Sequence, residues 1–185
     1  MYNSRQSPGG NNVIDGLLDF ARVNDAQIFG FLHGSKGLLE QKVLEVTEEN
    51  YKFFRNQGGY HYLGRYADKI RSQEELLKTK QTCENMDLDG LVMVGASHTM
   101  TDAAYLTNYF IENNVKTRVI TVPCTIDNNV SNHMLEQSIG FDTASKTYSQ
   151  QIGNIMIDSA SAVKYWYFMR LMGRDPSHLV LESSL

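Results

Sequence analysis

The sequence predicts an α/β layered fold, and two features carry that expectation. Residues 88–94 (Leu-Asp-Gly-Leu-Val-Met-Val) and 117–122 (Thr-Arg-Val-Ile-Thr-Val) are runs of strand length, and a helical stretch from Thr101 to Asn113 lies between them. Strand, helix and strand at this spacing form a βαβ unit, whose strands run parallel with a right-handed crossover. Strand and helix patterns also alternate along the rest of the chain, the order that stacks helices on a mostly parallel sheet.

Each element follows from local pattern. Val13, Ile14, Leu17, Leu18 and Ala21 recur at helical spacing, so residues 11–23 read as an amphipathic helix. Gln27 to Leu32 reads as a short buried strand ending at His33-Gly34. Residues 47–55 form a short helix with Thr47 as N-cap and Glu48 and Glu49 in its first turn, where acidic groups meet the positive end of the helix dipole. Gln57-Gly58-Gly59 breaks the chain, and a charged helix runs from Ala67 to about Glu84. After the strand at 88–94 comes a loop, Gly95 to Thr99. A second loop, Pro123 to Asn132, leaves the strand at 117–122. A long helix fits Asp142 to Ser161, and strands are expected at Lys164–Met169 and His178–Leu181. Only three residues precede the first glycine-rich loop, so the chain reads as a segment that lacks the loop's anchoring strand.

Composition narrows the function. Hydrophobic residues are 42% and charged residues 21% of the 185, a globular balance that excludes disorder. The longest apolar runs are too short to span a membrane. A net charge of -4 is a poor footprint for nucleic acid. Cys83 and Cys124 have no CxxC pairing, and the histidines show no metal-ligand spacing. No signal segment opens the chain, and a reducing, cytoplasmic compartment is expected. Asn129-Val130-Ser131 fits a glycosylation sequon that such a compartment leaves idle.

In open α/β sheets ligands bind beyond the carboxyl ends of the strands, where helix N-termini and loop amides converge. Gly95-Ala96-Ser97-His98-Thr99 and Pro123-Cys124-Thr125-Ile126-Asp127-Asn128-Asn129 leave such ends, and Ser7-Pro8-Gly9-Gly10-Asn11 runs into a helix. Together the three loops point to a phosphorylated ligand, although each alone is also an ordinary turn. Asp127 follows a buried strand in a polar loop, so its carboxylate suits a base that takes a proton from a hydroxyl nucleophile. An Asx-turn or helix-capping role is the structural alternative.

These loops, with their neighbours, resemble the 6-phosphofructokinase family, in particular its long pyrophosphate-dependent type. The resemblance rests on Ser7 to Ile14, Gly34 to Leu39, Phe54 to Gly59, Leu88 to Val92, Pro123 to Asp127, Gly140 to Ala144 and Phe168 to Arg174, in the family's order across nearly the whole chain. It implies a three-layer parallel-sheet phosphofructokinase fold. Residues 1–140 would be a partial N-terminal, Rossmann-like domain with the donor loops, and 141–185 the start of the second, sugar-binding domain. It further implies a glycolytic, allosterically regulated transfer of a phosphoryl group from pyrophosphate or ATP to fructose 6-phosphate, with Mg²⁺. Asp127 matches the family's catalytic base and Thr125 a neighbour that touches the transferring group. Met172, Gly173 and Arg174 match the motif that holds the sugar phosphate; a guanidinium offers fixed paired donors to phosphate. Gly95, Ser97, His98, Cys124 and Arg65 fall at donor-binding positions. The implied partners are a second copy, giving a homo-oligomer, or a catalytic partner domain.

Departures from the family pattern bear on activity. Ser4 and Arg5 stand where the resemblance expects glycines, and Ser97 and His98 stand at an acidic position and its neighbour. Cys124 replaces a lysine and Asn129 an aspartate. Mg²⁺ is a hard cation that wants carboxylate oxygen, which serine and asparagine do not supply. Loss of metal–phosphate stabilisation is worth several kcal/mol, and about 1.4 kcal/mol is tenfold in rate. The expected protein keeps the sugar-phosphate half of the site and has a degenerate donor and metal half, like an α-type regulatory subunit. A non-catalytic scaffold, or a generic mononucleotide-binding domain, is the rival reading.

Overall fold

A computed structural model gives the fold and describes residues 1–4, 7–66, 69–173 and 177–185. The elements run β1 (Tyr2–Asn3), α1 (Gly10–Asn24), β2 (Ile28–Phe31), α2 (Ser35–Glu40), β3 (Val43–Val46), α3 (Glu48–Tyr51) and α4 (Gln73–Asn85). They continue with β4 (Gly90–Gly95), α5 (Ser97–Glu112), β5 (Arg118–Pro123), α6 (Phe141–Ala162) and α7 (Ser177–Ser184). Two compact units result, Met1–Cys124 and Thr125–Leu185.

The first unit is built on a three-stranded sheet in the order β1-β4-β5. The βαβ reading holds: β4 and β5 are parallel, in register from Gly90↔Arg118 to Gly95↔Pro123. The first glycine-rich loop does have an anchoring strand, contrary to the reading of the N-terminus. Tyr2 and Asn3 pair in parallel with Met93 and Val94, and Ser4 N–H donates to the Val94 carbonyl at 2.8 Å. Two residues suffice because both are buried and the strand is short enough to escape a pattern search.

The period-2 alternation of β4 sorts the core onto two faces. Leu91 and Met93 join Tyr2, Leu38, Cys83, Leu106 and Phe110 on one face, covered by α2, α4 and α5. Val92 and Val94 face a second cluster with Ile14, Leu18, Tyr51, Leu63 and Cys124, covered by α1. Helices on both faces of a parallel sheet give the expected three layers, and each fully buried large side chain contributes about 1.5–3 kcal/mol.

An antiparallel pair, β2–β3, stands beside this sheet, with Ile28↔Val46 and Phe31↔Val43 as its ends. Neither β3 nor α2 is expected from sequence, because four and six residues are too few to show a period. Thr47 caps α3 as expected, its hydroxyl accepting from Asn50 N–H while the Asn50 side chain accepts from Thr47 N–H. The charged helix begins at Gln73, because Ser72 and Glu75 form a capping box that fixes its start; Ala67, where the sequence places its beginning, lies outside the described residues. Likewise α5 begins four residues before Thr101, since the Ala96 carbonyl already accepts from Thr99 and Met100 N–H.

In the second unit α7 packs on α6. Two expected strands are absent. Residues 164–169 pair with no strand among the described residues, and Trp166 and Phe168 are 91% and 95% exposed, so they are not core. A strand without a ladder partner leaves its backbone groups to water. Residues 178–181 are helical in α7, because Leu179 and Ser183, one turn apart, are both buried. A four-residue apolar run fits either period, and here the helical one wins. No described helix is long and apolar enough to cross a membrane.

Candidate functional site

Three loops of the first unit leave the carboxyl ends of adjacent parallel strands: the segment after β1, Ala96 after β4, and Cys124 after β5. Two of them open helices. Gly9 adopts a left-handed conformation (φ 80°) that lets the chain turn into α1, and no side chain caps that helix. The α5 N-terminus at Ala96 is uncapped by side chains as well, with no acidic residue in its first turn. In α1, however, Gly10 N–H already donates to the Ser7 carbonyl and Asn12 N–H to the Gly9 carbonyl, both at 3.0 Å, so the absence of a side-chain cap leaves few of its first amides to an anion.

Side chains lock these loops together. The Ser7 hydroxyl donates to the Val94 carbonyl at 3.1 Å, and Ser7 N–H donates to the Tyr60 hydroxyl oxygen at 3.0 Å. Cys124 N–H donates to the Gly95 carbonyl at 2.9 Å, joining the ends of β4 and β5. At Gly95 a Cβ would run into the Thr99 hydroxyl and lie 2.8 Å from Ser4 Cβ, so only glycine fits between the first two loops. The start of α1 is braced from below: the Tyr51 hydroxyl donates to the Asn11 carbonyl, and Asn11 Nδ2 donates to the Gln57 carbonyl at 2.9 Å.

The residues at donor-binding positions fall out differently. Ser97 and His98 occupy the first turn of α5, Ser97 half-buried and His98 exposed. Arg65 is exposed, its guanidinium carbon 4.7 Å from the Tyr60 ring centroid. Cys124 points into the core among Ile14, Leu18 and Val94, and burial pushes its thiol up to about 12. Burial pushes the Cys83 thiol up to about 11. Thiolate is the reactive form. Both thiols of the folded chain should therefore resist maleimide at pH 8, and both should react in denaturant. Labelling of either in the native chain on the same timescale as a free thiol contradicts this packing.

In the second unit the loop after Cys124 is an ordered turn. Thr125 N–H donates to the Ile139 carbonyl at 3.0 Å, and Asp127 N–H donates to the Thr125 hydroxyl oxygen at 3.2 Å. Asn128, at φ 52°, accepts from Ser138 N–H through its side chain at 2.9 Å. The turn is thus made by Thr125 and Asn128, and Asp127 neither caps a helix nor closes an Asx-turn. Its Oδ1 is buried and has no hydrogen-bond partner among the described residues. A buried acceptor left unmade costs about 1–3 kcal/mol, and such atoms in folded proteins point to a missing partner.

Met172 is 67% exposed and Gly173 takes φ 133°. Arg174 lies outside the described residues, as does Arg5. Among the described residues no group of three or more His, Cys, Asp or Glu is placed to hold a metal. Ser97 in the first unit and Asn129 in the second each carry a neutral oxygen where the resemblance expects a carboxylate, and neither is a good ligand for Mg²⁺. Asn3 and Tyr60 escape sequence analysis altogether. Asn3 is 1% exposed beneath Gly10, and Tyr60 follows a glycine pair with no spacing to mark it.

Comparison with known proteins is consistent across sequence and structure. Residues 2–185 match the family described as Phosphofructokinase. The chain is 45% identical over 187 residues to the pyrophosphate–fructose 6-phosphate 1-phosphotransferase subunit alpha 2 of Arabidopsis thaliana, covering 100% of this chain and 30% of that protein. It is 44% identical over 182 residues to the pyrophosphate–fructose 6-phosphate 1-phosphotransferase of Treponema pallidum (strain Nichols), covering 97% of this chain and 32% of that one. The crystal structure of the pyrophosphate-dependent phosphofructokinase from Marinobacter aquaeolei matches with a TM-score of 0.73 at 16% identity, over 86% of this chain and 41% of that one. That last likeness is one of fold alone. The chain therefore spans about a third of the length of the curated relatives it matches.

Proposed function

Because the chain belongs to the phosphofructokinase family, we propose that it is the segment of a phosphofructokinase that carries the proton-accepting loop and part of the sugar-phosphate site, beside a degenerate donor half. The reaction is transfer of a phosphoryl group from pyrophosphate or ATP to the 1-hydroxyl of fructose 6-phosphate. The observation that supports it most is the unpartnered Oδ1 of Asp127. A hydroxyl placed there would satisfy the orphaned oxygen and give up its proton to it as the oxygen attacks phosphorus. Thr125 holds the backbone of Asp127 in place through its hydroxyl, while Met172, Gly173 and Arg174 take the 6-phosphate end of the sugar.

The donor half offers Gly95, Ser97, His98, Cys124 and Arg65. With Cys124 turned into the core and no carboxylate at Ser97 or Asn129, nothing there replaces the stabilisation that Mg²⁺ gives a transferring phosphoryl group, and no step is routed through the metal. Sequence identity alone does not separate the subunit types, since alpha-named relatives lie at 43–45% and beta-named ones at 41–43%.

A regulatory or scaffolding half, binding a sugar phosphate and packing on a catalytic partner or a second copy in the cytoplasm, is the second reading. It is favoured by the apolar side chains that the second unit leaves in solvent, among them Met156, Ile157, Trp166 and Phe168, at 60%, 75%, 91% and 95% exposure.

Calorimetric titration of the folded chain with fructose 6-phosphate tests the shared premise. Saturable binding is expected, weakened at least tenfold by Arg174→Ala. A folded chain that takes up no sugar phosphate, or an Arg174→Ala variant with unchanged affinity, removes the sugar-phosphate site from the proposal.

A further inference from the structure

We draw no further inference here: the strongest candidate, the exposed apolar face that the end of α6 and residues 163–169 present in the second unit, from Met156 and Ile157 to Trp166 and Phe168, carries nothing, because nothing in the structure shows what covers it.

Discussion

Replacing Tyr51 by alanine is expected to destabilise the Met1–Cys124 unit by about 3–5 kcal/mol, the usual cost of deleting a buried aromatic side chain. Tyr51 is 0% exposed and lies in the cluster that joins α1 to the sheet. Its ring meets Tyr62 edge-on, with centroids 5.3 Å apart at 71°, and its hydroxyl donates to the Asn11 carbonyl at the start of α1. Burial pushes that hydroxyl up to about 12, so it remains a donor across the neutral range. The loss should lower the melting temperature by about 10 °C or more for a unit of this size. Tyr51→Phe removes only the hydroxyl and should cost about 1 kcal/mol. Calorimetric melts of the three proteins check both numbers. An alanine variant that melts within a degree or two of the unaltered chain would show that this cluster does not hold the first unit together.

The second large effect concerns the donor half. Ser97→Asp together with Asn129→Asp is expected to create Mg²⁺-dependent pyrophosphate binding at least tenfold tighter than in the unaltered chain, about 1.4 kcal/mol. Two carboxylates supply the hard oxygen ligands that serine and asparagine withhold. The substitution at 97 should carry little folding penalty. Ser97 is the first residue of α5, a helix with no acidic residue in its first turn, and an aspartate there interacts favourably with the helix dipole by about 0.3–1 kcal/mol. The readout is the difference between titrations with and without Mg²⁺. If the unaltered chain already shows the full Mg²⁺-dependent affinity, the donor half is not degenerate; if the double variant gains nothing, the two positions are not what the site lacks.

These expectations separate what is local from what is not. The βαβ unit is legible because β4, α5 and β5 are each long enough to show their own period, and because a buried parallel sheet selects continuous apolar runs such as Leu91 to Val94. Thr47 is legible as a cap because capping depends on neighbours three residues away. The polar loops at the strand ends and the acidity of Asp127 are also local facts. The strand at 164–169 fails for the opposite reason: alternation predicts a strand only if a neighbour offers a ladder, and none of the described strands does.

By itself, then, the sequence determines the layered α/β class, the phosphofructokinase resemblance, the order of the loops and the residue types each loop carries, because all of these depend on residue type and short spacing. Tertiary structure alone decides that Tyr2 and Asn3 complete the sheet, that the Cys124 thiol faces the core, and that Tyr60 joins Arg65 to Ser7 across more than fifty residues. It also decides that Asp127 keeps a buried oxygen without a partner. Each of these is a contact between residues distant in the chain or a question of what is absent around an atom, and neither leaves a periodic trace in one dimension.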